Sequence, residues 1–120
     1  MPGLDSIDGE GIGDNEKRVY VAGPYTHGDW GSNIEYAMDA AQEIYEAGHV
    51  PFIPHTMTAL WSVKHSNDWI SFDLKWVEVC DAVVRIGGWS GGANTEEKFA
   101  KENGIDVYHG VDEFLEDVNG

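Results

Sequence analysis

Two adjacent acids, Glu96 and Glu97, stand just behind a run of small residues in "GGWSGGANTEEKFA", residues 87–100. A carboxylate held in a cleft can serve as nucleophile, general acid or general base, so the face each acid presents decides its chemistry. On a helix turning ~100° per residue, Ala93, Phe99 and Ala100 mark the apolar face, and Glu96 falls near its centre. Glu97 falls toward the edge, where it can pair with Lys101 four residues on or close a capping box with Asn94. The plainer alternative for Glu96 is an acid that merely favours a helix N-terminus. A further acid repeats the pattern in "NDWISFDLKWVEVC", where Asp73 has Trp69, Ile70, Trp76, Val77 and Cys80 around it at helical spacing. Charge on such a face is costly to bury without a partner, and carboxylates beside a cleft are candidates for tuned acid, base or nucleophile roles. Two of them suit cleavage of a glycosyl bond: one attacks or steadies the anomeric carbon while another group handles the leaving group's proton.

The elements that position these acids are legible as alternating strands and helices. "KRVYVAGP" predicts a short buried strand running into a Gly-Pro breaker. Ser32 with Glu35 has capping-box spacing, and Ile34, Ala37, Met38, Ala41, Ile44 and Tyr45 recur at helical intervals up to Gly48. "HVPFIPH" predicts a second strand, and the stretch through "TMTALWSVKHS" a loop with room for a short helix. A helix capped by Asn67 or Asp68 runs to about Cys80, "DAVVRIGG" is a third strand, and "GANTEEKFAKENG" is a helix closed by Gly104. "IDVYHG" and "VDEFLEDV" supply the last strand and helix. This alternation predicts an α/β fold, a Rossmann-like doubly wound parallel sheet of about four to five strands in three layers. Residues 1–16, rich in Gly and acid, read as a mobile leader, and residues 17–120 as one domain.

Ligands of such sheets bind beyond the carboxyl ends of the strands, which selects three loops. The first opens with Gly23, Pro24 and Tyr25, the second follows His55, and the third carries Trp89, Ser90, Gly91, Gly92 and Ala93. The third loop suits a phosphate or a sugar, because its glycines let backbone N–H groups approach an anion at a helix N-terminus. It is not a P-loop, since Ala93 follows Gly92 where that motif requires Lys. Tyr25, Trp30, Trp61 and Trp89 sit in or near the loops and could stack on a planar ligand, Tyr25 and Trp89 foremost, although core packing is the commoner fate of a Trp. His27, His49, His55, His65 and His109 are scattered without paired metal spacing, so no metal site is expected.

The 22 acids against 7 Lys plus Arg give a formal net charge of −15 over 120 residues. Such a charge repels nucleic-acid polymers and anionic membrane surfaces, and spread along the chain it suggests a halophilic surface tuned to high salt, with a generic acidic surface as the alternative. The single cysteine, Cys80, has no partner for a disulfide or a CxxC site, which fits a reducing compartment. With no apolar run resembling a signal peptide or a membrane span, a soluble cytoplasmic protein is expected.

"VYVAGPYT", "PFIPH", "DLKWVEVCDAVV" and "GWSGGANTEEKFAKENG" together resemble the successive motifs of the nucleoside 2-deoxyribosyltransferase superfamily, over roughly residues 17–108. The resemblance implies a flavodoxin-like fold and a nucleophilic Glu96 that forms a covalent glycosyl intermediate, with no cofactor. It implies that Asp73 holds or protonates the base and that Tyr20, on the first strand, abuts the nucleophile. Where the transferases usually carry an aspartate six residues before the nucleophile, this chain has Ser90, like the branch that hydrolyses deoxynucleoside 5′-monophosphates. A nucleotide is thereby favoured over a nucleoside as the small-molecule partner, and a homodimer or larger homo-oligomer is expected. A catalytically inactive nucleotide-sensing module of the same fold is the alternative.

Overall fold

The computed structural model describes residues 11–24, 29–54, 66–88 and 90–119, the side chains of Trp30 and of residues 66–69 excepted. In chain order these form β1 (Arg18–Ala22), α1 (Trp30–Glu46), β2 (Val50–Phe52), α2 (Ser66–Val79), β3 (Ala82–Arg85), α3 (Gly91–Glu102), β4 (Asp106–His109) and α4 (Val111–Asn119). The strands form one parallel sheet in the order β2-β1-β3-β4. This is the doubly wound architecture that the alternating pattern predicts, flavodoxin-like as the resemblance implies, with four strands described.

Both faces of the sheet are covered, which is why β1 and β3 read as almost unbroken apolar runs. Val19, Val21, Ala82 and Val84 pack on one face against Ala37, Ala41 and Ile44 of α1 and Phe114 of α4. Tyr20, Ala22 and Val83 point to the other face, against Val77 of α2 and Ala93 and Ala100 of α3. The period-two alternation of a strand thus divides the core into two layers and fixes which strand residues can meet α2 and α3.

The helix ends differ from the sequence reading in places. α1 begins at Trp30, with Asp29 as its N-cap residue, and not at a Ser32–Glu35 capping box; the Ser32 hydroxyl instead donates to the Asp29 carboxylate. α2 begins at Ser66, slightly before the expected Asn67 or Asp68. α3 is capped by Ser90, so Asn94 lies inside the helix and forms no capping box with Glu97. Gly104 closes α3 with a φ of +72°, a backbone setting open to glycine at little cost. Of the leader, residues 11–16 are exposed, with a turn joining Gly13 to Glu16. No described helix is long and apolar enough to cross a membrane.

Candidate active site

Glu96 and Tyr20 meet in the layer between the sheet and α3. Tyr20 is fully buried on β1, and its hydroxyl donates to Glu96 Oε2 at 2.6 Å. Glu96 is only 5 % exposed on the inner face of α3, between Ala93 and Ala100. Asp73 joins them from α2: its carboxyl interacts with both the Glu96 carboxyl and the Tyr20 hydroxyl. Asp73 Oδ1 is buried without a hydrogen-bond partner among the described residues. Three of the residues singled out in the sequence are therefore neighbours in space although they lie on three elements.

Glu97 has the opposite surroundings. Its Oε2 accepts from Lys101 Nζ at 2.8 Å, while Oε1 lies 3.2 Å from His109 Nε2 and 4.0 Å from Arg85 Nε. The Lys101 hydrogen bond, followed by His109, holds its carboxyl below the usual value. For buried Glu96 and half-buried Asp73 the direction reverses. Burial first, then the nearby Asp73, pushes Glu96 up to about 8 against the Tyr20 hydrogen bond. Burial likewise pushes Asp73 up to about 6. Two carboxyls this close cannot both ionise cheaply, so near neutrality the pair holds one proton. Tyr20 is driven well above the ordinary phenol value by burial and by the adjacent Glu96 and Asp73, and it remains a hydroxyl donor.

The strand-end loops carry the rest. Gly23 packs so closely on β3's exit that a Cβ there would meet Ile86 Cγ1 at 2.7 Å, and Gly87 has Pro24 beneath it. Gly23 and Pro24 thus join the first loop to the third. Ser90, 8 % exposed, accepts the Ala93 N–H through Oγ at 3.1 Å, a role that leaves a hydroxyl able to donate as well. Ala93 commits its methyl group to the core and its N–H to Ser90. Gly91 and Gly92 occupy the first turn of α3, where N–H groups have no intrahelical acceptor. Tyr25, His55 and Trp89, with His27, Trp61 and His65, lie outside the described residues, as does the side chain of Trp30.

Arg85 is the participant that the sequence reading did not single out. At the end of β3 it donates to the carbonyls of Ile86 and Gly88 and to Asn94 Oδ1, and its charge favours the ionised form of Glu96. A cation closing an otherwise apolar strand was the available signal. Among the described residues no cluster of His, Cys, Asp and Glu could hold a metal ion. His49 is instead built into the fold, its Nδ1 accepting from the Lys17 N–H and its Nε2 facing Asn119 Oδ1. Cys80 is buried, which with Asp81 nearby pushes its thiol up to about 11 and leaves it unreactive at neutral pH.

Residues 17–109 match the model of a family described as "Domain of unknown function (DUF7768)". No curated protein matches. Among solved structures, the chain is similar to a 2-deoxyribosyltransferase from Bacillus psychrosaccharolyticus, at 23 % identity and a TM-score of 0.59, over 75 % of this chain and 69 % of that one. It is also similar to a 2-desoxiribosyltransferase from Leishmania mexicana, at 20 % identity and a TM-score of 0.57, over 76 % of this chain and 61 % of that one. The fold is nucleoside 2-deoxyribosyltransferase-like.

Proposed function

Because the chain belongs to this family of domains of unknown function, DUF7768, its chemistry has to be read from the site, and we propose that it cleaves or transfers the N-glycosidic bond of a (deoxy)nucleoside 5′-monophosphate. The observation that carries this reading is Glu96, buried at the N-terminal half of α3 and hydrogen bonded by Tyr20, beside a second carboxyl with an oxygen unpartnered among the described residues. The likeness to structures described as 2-deoxyribosyltransferases supports it.

In the proposed reaction a Glu96 oxygen attacks the anomeric carbon, C1′. The C1′–N bond breaks, its electron pair leaves with the base, and a proton from Asp73 neutralises the base nitrogen. A covalent glycosyl ester on Glu96 results. Water or a second base then attacks C1′, the ester bond breaks, and the Asp73 carboxylate receives the proton of the attacking group. The single proton held by the carboxyl pair matches this need in number, since one member must be ionised and the other protonated; with Glu96 raised further than Asp73 the proton rests on Glu96, and the proposed step requires it to pass to Asp73 before attack. Tyr20 orients Glu96 and supports its charge. Ser90, whose hydroxyl is able to donate, and the first-turn amides of α3 bind the 5′-phosphate. No cofactor enters these steps.

Residues 17–120 are proposed to act as one domain, in a homodimer or larger ring whose neighbouring subunit completes the pocket. The test is release of free base from a panel of nucleosides and 5′-monophosphates, followed by chromatography, with Glu96→Ala as control. The expected result is release from a monophosphate, loss of at least 1000-fold in the variant (an order-of-magnitude expectation for a nucleophile), and a glycosyl adduct on Glu96 by mass spectrometry. Tight nucleotide binding without release would replace the enzyme with a nucleotide-sensing module.

A further inference from the structure

Arg85 ends β3 opposite Ala22, one alternation beyond Val83, and so falls on the α3 side of the sheet. Its side chain is 9 % exposed, unusual for an arginine at a strand end. A guanidinium offers five N–H donors in a rigid planar fork, and Arg85 spends them in two directions. On one side Nη1 donates to the Ile86 carbonyl and Nη2 to the Gly88 carbonyl at 2.8 Å, within the turn that leads to Ser90. On the other, Nη2 reaches Asn94 Oδ1 at 3.3 Å and Nε stands 4.0 Å from Glu97 Oε1. Asn94 and Glu97 bracket Glu96 within one turn of α3. The Glu97 carboxylate, moreover, is shared with Lys101 and His109, so it does not cancel the arginine's charge alone.

We infer that Arg85 is a positioning residue for the reaction proposed above: it pins the turn carrying Gly87 and Gly88 to α3 while keeping a positive charge beside the Glu96 carboxyl. The inference rests on that functional reading. Tyr20 from β1, Asp73 from α2 and Arg85 from β3 all bear on the Glu96 carboxyl; Arg85 is the cation among them and the weakest of these influences. The two tasks separate chemically. A lysine keeps the charge but is a single point with three donors, unable to hold two carbonyls and Asn94 from one plane.

The experiment compares wild type, Arg85→Lys and Arg85→Gln. The Glu96 carboxyl titration is followed by 13C NMR, assigned with Glu96→Gln. KM and kcat for base release are measured against pH, and binding of a 5′-monophosphate is measured by calorimetry. In Arg85→Gln the Glu96 titration moves to higher pH, by up to about 1 unit, the direction expected on losing an opposite charge. The pH profile moves with it, and KM rises about 10-fold. In Arg85→Lys the titration stays near wild type while KM remains raised. An unmoved Glu96 titration in Arg85→Gln overturns the inference, and so does an unchanged KM in both variants. Should Arg85→Gln fail to fold by circular dichroism, Arg85→Lys decides alone: a variant equal to wild type in KM overturns it. Absence of base release by wild type would instead defeat the functional reading, and the titration and calorimetry would still judge Arg85.

Discussion

Glu96 is buried and Asp73 half-buried beside it, and this governs both what they can do and what they cost the fold. With Asp73 raised to about 6 and Glu96 to about 8, the pair is singly protonated between those values. Base release should therefore follow a bell in pH, highest between about 6 and about 8, and a profile still rising at pH 9 would contradict the assignment. Tyr20→Phe removes a charge-assisted hydrogen bond of ~1.5–3 kcal/mol, so kcat/KM should drop about 10- to 100-fold. The same burial bears on stability. A carboxyl whose folded value is raised stabilises the fold while protonated; that contribution is fully present below its unfolded value and is lost as pH climbs through about 6 and about 8. Glu96→Gln should accordingly melt near the wild-type temperature at pH 5 and above it at pH 8.5, by about 4–8 °C for each kcal/mol relieved. Equal melting temperatures at pH 8.5 would be the contrary result. The inward direction of Glu96 was legible because Ala93, Phe99 and Ala100 set the buried face, and the carboxylate follows the backbone. Arg85 was not, because its acceptors at Ile86, Gly88 and Asn94 are brought together by the turn and the cap at Ser90, geometry that residue spacing does not encode.

The turns between elements carry the next constraint. Gly87 adopts a φ of +74°, and a Cβ there would stand 2.6 Å from Pro24 Cδ, so the loop after β3 and the loop after β1 are packed on the assumption of a missing side chain. Gly87→Ala should lose roughly 1–3 kcal/mol through backbone strain and the clash, and should weaken monophosphate binding because the displaced turn leads to Ser90. Gly88→Ala, with nothing within 4 Å of its Cβ, is the matched control and should leave melting temperature and binding unchanged. The helices show why such details escape a one-dimensional reading. Ala37, Ala41 and Ile44 do form the buried stripe of α1, yet Met38 and Tyr45, placed on the same face by their spacing, are 51 % and 70 % exposed. β2 is the edge strand on that side, so the sheet beneath α1 is narrower than the stripe its sequence advertises. Periodicity reports a helix's apolar arc, not the width of the layer that will cover it. The capping signal at Ser32 failed for a related reason: Asp29, three residues earlier, takes the N-cap position, and Ser32 hydrogen bonds to it from inside the first turn.

At the scale of the molecule, alternating strands and helices gave the doubly wound plan, because a strand buried on both faces has to be followed by a crossover. Which strand ends at the edge depends on pairings between distant segments, and these are absent from local pattern. Composition, by contrast, speaks directly to the field around the molecule. A net charge of −15 sits on a body whose radius of gyration is 14.9 Å. At ~0.01 M salt the screening length is about 30 Å, so repulsion acts across the whole surface; at ~1 M it is about 3 Å and reaches only adjacent groups. Relief of that repulsion should raise the melting temperature steadily with KCl, and a flat or falling curve would remove the salt-adapted reading. The same field acts on an approaching ligand. A 5′-monophosphate carries its own negative charge toward an acidic surface, whereas a nucleoside is neutral, so KCl should lower the KM of the monophosphate and leave that of the nucleoside nearly constant. Parallel salt dependence for the two would mean that salt acts on the fold alone, and that the phosphate is not what the site at Ser90 and the first turn of α3 receives.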